Sequence, residues 1–130
     1  MVSPERWRDI QQAVFAIARY QCEICGWRGG HLHCHEVWSY NDRTGVQRLA
    51  GFLALCRFCH EVKHIGLAKV DGRYAPALAH LARVNRWSRA VAVEYVDACF
   101  EQFERRSEKE WRLDVTQALK MMPPGLDLLK

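Results

Sequence analysis

Leu55-Cys56-Arg57-Phe58-Cys59-His60-Glu61-Val62-Lys63-His64 is the stretch that decides how this 130-residue chain folds. An apolar run, Phe52 to Leu55, leads into a Cys-x-x-Cys pair, and the pair leads without a break into His-x-x-x-His. The run reads as a strand. The pair reads as a knuckle that ends the strand and opens a helix. In that helix Phe58, Val62 and Ile65 form an apolar stripe, while His60 and His64, one turn apart, lie on another face. Two imidazoles stacked away from the apolar stripe point at a ligand rather than at the helix's own packing.

Thirty residues upstream stands a second pair, Cys22-Glu23-Ile24-Cys25, followed by Gly26, where a tight knuckle needs a residue free of Cβ strain. Two such pairs supply the four thiolates of a closed tetrahedral zinc site, structural because no position is left for substrate. Six cysteines also allow three disulfides, but the spacing, the neighbouring histidines and the lack of a signal-peptide pattern favour metal. Cys34 and Cys99 fall outside the pattern and read as core residues. Between the pairs, after a turn at Gly29-Gly30, residues 31–38 alternate as a strand. Leu32, Cys34 and Glu36 share one face; His31, His33, His35 and Val37 share the other. The histidines of strand and helix together can hold a second ion with positions left open for chemistry.

Outward from this centre, Ser3-Pro4 caps and starts a helix carrying Trp7, Ile10, Val14 and Ile17, expected to end near Tyr20. Residues 39–48, with Asn41, Asp42 and Gly45, read as a loop. Asp71-Gly72 is expected to turn a tight hairpin between Leu67–Val70 and Arg73–Ala75. Pro76 is expected to open a helix to Asn85, and Ser88 to cap a longer one with Ala92, Val96, Cys99 and Phe103 on a stripe. Glu104 to Glu110 is a solvated charge run, Trp111, Leu113 and Val115 alternate as a short strand or an extended dock, and Pro123-Pro124-Gly125 ends regular structure. The fold class is α+β. Residues 1–75 are expected to form the Cys/His domain, and 76–130 a C-terminal helical extension packed on it that need not be an independent domain.

Net charge is +4, and ten of the nineteen basic residues lie in the first 75 positions against seven acidic ones. That balance permits nucleic-acid binding without requiring it. No run of eighteen apolar residues indicates a membrane span, so a cytoplasmic location without membrane contact is expected.

The helix with Trp7, the Cys22-x-x-Cys25-Gly26 knuckle, the strand Leu32-His33-Cys34-His35-Glu36-Val37 and the segment Leu55-Cys56-Arg57-Phe58-Cys59-His60 together resemble the HNH nucleases of the ββα-metal (His-Me finger) group. The family's strand motif is similar to Leu-x-Val-(Asp/His)-His-(Ile/Val), and the resemblance spans about residues 3–66. It implies a ββα-metal core with zinc knuckles that cleaves phosphodiester bonds with one divalent ion. It also implies that His60 is a helix ligand and that His64 resembles the extra ligand of colicin-type nucleases. Laid on the motif, His35 takes a metal-ligand position and Glu36 the general-base position; shifted by one residue, His35 becomes the base and Cys34 the ligand. His35 and Glu36 are therefore the catalytic pair with their roles open, and His33 is the reserve. The family's middle Asn is replaced by Gly51, and Asn41 lies earlier in the chain.

The ions expected are Zn2+ at Cys22, Cys25, Cys56 and Cys59, and Mg2+, Mn2+, Ni2+, Co2+ or Zn2+ at His35, His60 and His64. The expected substrate is DNA, with RNA open, and a protein partner or homodimer is open as well. Arg83, Arg86 and Arg89 are the candidate nucleic-acid contacts of the extension, whereas His31 and His80 read as ordinary histidines. The competing reading is a zinc module that binds nucleic acid or a protein partner without catalysis.

Overall fold

The computed structural model describes residues 3–116. Helix α1 (Pro4–Ile17) starts where the sequence places it: Ser3 Oγ accepts the Arg6 N–H at 3.3 Å, and Pro4 occupies the first turn. It stops at Ile17, three residues early, because Arg19 and Tyr20 take left-handed backbone angles, φ 57° and 56°.

Strand β1 (Leu32–Asn41) pairs antiparallel with β2 (Val46–Cys56), from Leu32 opposite Cys56 to Asn41 opposite Val46. Both strands run further than their apolar content suggested, so the expected loop over 39–48 shrinks to a tight turn. Asn41 makes it: its Oδ1 accepts the N–H groups of Arg43 and Thr44, both at 3.1 Å, an Asx turn closed by Gly45 at φ 72°. The register slips once, between Val37 and Trp38. Strand β3 (Arg112–Asp114) joins β2 in parallel, which accounts for the short alternation around Leu113.

The hairpin separates two environments. On one face Leu32, Leu49 and Ala54, with Cys34, Trp38 and Phe52, pack against Ile10 and Val14 of α1. On the other, Leu53 and the fully buried Leu55 pack with Cys22, Cys56 and Cys59. Helix α2 (Arg57–Lys63) follows β2 directly, so the chain order here is strand, strand, helix.

The hairpin expected at Asp71-Gly72 is instead a helical turn. Residues 65–70 form α3 (Ile65–Val70) and the chain re-enters a helix at Tyr74. Ile65 and Ala68, three apart, both face the core, a helical spacing that the short segment conceals. Helix α4 (Tyr74–Asn85) begins two residues before Pro76, whose missing N–H costs nothing in the first turn. Helix α5 (Arg89–Ser107) is capped by Ser88, whose Oγ accepts the Val91 N–H at 3.2 Å. Ile65 and Ala68 of α3 share a buried cluster with Ala77, Leu78 and Leu81 of α4 and Ala92 and Val96 of α5. The division drawn at 75/76 thus falls inside α4, in a core that both sides build. The far end of α5 is clasped to the β1–β2 turn: Arg106 lies 4.3 Å over the Tyr40 ring and pairs with Asp42. Pro123-Pro124-Gly125 lies outside the described residues. Among those described, no helix is long and apolar enough to cross a membrane.

Candidate metal centres

The first knuckle is shaped by its backbone. Cys22 N–H donates to the Trp27 carbonyl at 3.0 Å, and Gly26, at φ 79°, donates to the Cys22 carbonyl at 2.9 Å. Glu23 fastens the knuckle to β2. Its N–H donates to the Ala54 carbonyl at 2.9 Å, and its carboxylate accepts the Ala54 N–H at 2.7 Å. The second knuckle is the junction of β2 and α2. Cys56 ends the strand and also caps the helix, its Sγ accepting the Cys59 N–H at 3.4 Å. The four sulfurs of Cys22, Cys25, Cys56 and Cys59 come to lie within 4.8 Å of one another, with Cys25 and Cys56 at 3.7 Å. A tetrahedral zinc ion with ordinary zinc–sulfur distances sets sulfur–sulfur edges of about 3.8 Å. The Cys25–Cys56 edge matches that value, and the whole cluster is of the size such an ion needs.

The electrostatics agree. Burial pushes the Cys22 thiol up, but the backbone groups of Cys25, Cys56 and Ile24 outweigh it and bring it down to about 7. Burial, and then the sulfurs of Cys56 and Cys22, drive Cys59 far above the ordinary thiol range. Thiols crowded this closely resist ionising together. A bound dication reverses that, since coordination deprotonates thiols outright.

The second cluster lies beside the first. His35 comes from β1, His60 from α2, and His64 stands at the end of α2, where the helix breaks before α3. One ring nitrogen from each falls within 4.8 Å of the others. His60 Nε2 and His64 Nε2 are 3.1 Å apart, close to the edge of about 3.3 Å that a zinc-sized ion imposes on nitrogen ligands. The His35 ring meets both edge-on, at centroid distances of 5.5 and 5.2 Å. Burial first, then the charges of His64, His33 and His35, lowers His60 to about 4. Burial, then His64 and Lys63, lowers His35. The lowering at His35 and His60 favours the neutral rings, whose lone pairs can meet a metal, and three candidate ligands leave positions open.

His33 shares the face of His35 and stacks on His60, centroids 4.7 Å apart and planes 20° apart, with His31 at its edge. Burial, then His31 and Arg57, lowers its pKa. The other strand candidates are not brought to the cluster. Glu36 alternates onto the α1 side, exposed, its Oε2 accepting the Trp38 indole N–H at 2.9 Å. Cys34 packs into the α1 core, and burial, then Glu36 and Glu23, pushes its thiol up to about 11. Neither register of the strand motif places two adjacent residues at the histidines, because neighbours on a strand face opposite ways. Asn41 is spent on the turn, roughly 20 Å along the strand from His35. Gly51 is buried within β2, opposite Val37.

Of the arginines expected to meet nucleic acid, Arg83 is engaged with His80, its Nη2 lying 3.0 Å from Nδ1. Arg86 occupies the left-handed position that ends α4, and Arg89 opens α5; both are exposed. Sequence reasoning passed over His80, whose Nε2 lies 3.2 Å from Cys59 Sγ. Arg83, one helical turn on, was a visible partner for it, but nothing local says that α4 crosses the thiolates. No family model matches the chain, and no curated protein or solved structure matches it either.

Proposed function

We propose that the protein is a metal-dependent endonuclease of the HNH, ββα-metal type, hydrolysing phosphodiester bonds in DNA. In this reading the four cysteines hold a structural zinc ion, and His35, His60 and His64 hold one catalytic divalent ion. The observation that carries it is the convergence of three imidazoles, from a strand and the helix after the hairpin, beside a closed thiolate shell. A divalent ion bound there would polarise the scissile phosphate and stabilise the leaving oxygen. His33 supplies the base: neutral, and stacked against His60, it can take the proton of an attacking water. Lys63 and Arg57, whose charges reach His35 and His33, offer cations for the flanking phosphates. Glu36, bonded to Trp38 on the opposite strand face, has no part in activating the water.

The test is divalent-ion-dependent nicking of plasmid DNA by the purified chain. His35→Ala and His60→Ala abolish it while one zinc ion per chain remains; robust cleavage by the double variant sinks the assignment. A second reading has its own support in the position of Glu36 and in Gly51, which together leave the family's base and middle asparagine unfilled. It is a zinc module that binds nucleic acid without cutting, and DNA binding with no cleavage under any of the five candidate ions favours it.

A further inference from the structure

His80 reaches from α4 to the thiolate cluster, with Nε2 3.2 Å from Cys59 Sγ and Nδ1 3.0 Å from Arg83 Nη2. A guanidinium has donors and no acceptor, so Nδ1 must accept. The ring's single proton then sits on Nε2 and points at the Cys59 sulfur. No other tautomer of the neutral ring satisfies both contacts. The ring is partly buried and packs beside Phe58, centroids 5.7 Å apart, which holds it in this orientation.

We propose that His80 is a positioning residue of the thiolate metal site: Arg83 fixes its tautomer, and its Nε2–H donates to the Cys59 thiolate. The proposal rests on the reading that Cys22, Cys25, Cys56 and Cys59 hold zinc. Four thiolates around a dication leave two negative charges in a mostly buried place, and donors to sulfur spread that charge. The Cys59 N–H serves Cys56 in this way. His80, backed by the Arg83 cation, serves Cys59, the other buried thiol of the second knuckle. Because the donor comes from α4, the helical extension is part of the metal site and clamps it.

Loss of such an outer partner weakens metal binding about 10- to 100-fold. The experiment uses the full chain loaded with zinc and, in parallel, with cobalt, and reads release to a chromophoric chelator and the thiolate-to-cobalt charge-transfer band. His80→Ala is expected to weaken zinc binding by that factor and to shift the band. His80→Gln, whose amide N–H reaches to the place of Nε2, restores both in large part. Arg83→Leu, a change on the exposed side of α4, gives a smaller loss in the same direction. Unchanged release and an unchanged band in His80→Ala overturn the proposal, as does a His80→Gln variant no better than His80→Ala. Failure of the underlying zinc reading looks different: the wild-type chain itself then shows no thiolate-to-cobalt band.

Discussion

Cys56 has two separable roles, and two substitutions distinguish them. It is 1 % exposed, it is one corner of the four-sulfur cluster, and its sulfur caps α2. Cys56→Ser keeps an oxygen that caps a helix well but removes the thiolate, whereas Cys56→Ala removes both. The cap alone is worth about 1 kcal/mol, so the two variants should differ from each other by that much. On the zinc reading, both lose a ligand. Structural zinc supplies about 10–16 kcal/mol of apparent binding energy in small zinc modules, as large as the roughly 5–15 kcal/mol stability of a typical domain. The serine and alanine variants should therefore both lose the cooperative transition seen for the zinc-loaded wild type, or melt far below it. Circular dichroism melts with parallel zinc stoichiometry measure this, and a strong chelator added to wild type should reproduce the serine variant. A Cys56→Ser protein that retains one zinc and melts within about 1 kcal/mol of wild type would refute the reasoning, because the sulfur would then be only a cap.

His33→Ala should lower turnover by about 10²–10⁴-fold while both ions stay bound, since a general base contributes in that range. Glu36→Gln should leave turnover within a few-fold of wild type, and a loss as large as that of His33→Ala would restore the carboxylate as base. Arg106→Ala breaks the clasp to Asp42 and Tyr40 and should lower the melting temperature at pH 7. The hydrogen bond from Arg106 holds the Asp42 carboxyl below its ordinary range, so this stabilisation is fully present above that range and is lost as the pH falls from it through the lowered folded-state value. The gap between wild type and variant should narrow in acid to what the Tyr40 contact contributes, and a gap that widens there would contradict the sign.

The sequence made the thiolate site legible because its information is local. Two Cys-x-x-Cys turns specify two sulfurs each, and only their meeting had to be inferred. His60 and His64 were legible for the same reason, one turn apart on a face of their own. The strand was harder. Alternation places His33 and His35 together and Glu36 opposite, but a motif that treats adjacent residues as a pair obscures that geometry. The hairpin turn resembles a long loop in the sequence because polar strand residues such as Ser39 and Gln47 carry no apolar signal; pairing across the ladder, not composition, extends β1 and β2. Residues 67–70 mislead for a related reason, since so few residues give helix and strand periods little room to diverge, and they fall in α3. His80 lay beyond reach, because its partner Cys59 is 21 residues away across a tertiary contact.

An anomalous-scattering map of crystals grown with zinc and with manganese or nickel would decide between one metal site and two. Two peaks are predicted per chain, one among the sulfurs of Cys22, Cys25, Cys56 and Cys59 and one among His35, His60 and His64, the second vanishing in His60→Ala. A single peak on the sulfurs under every ion would contradict the nuclease reading and leave a zinc-stabilised binding module.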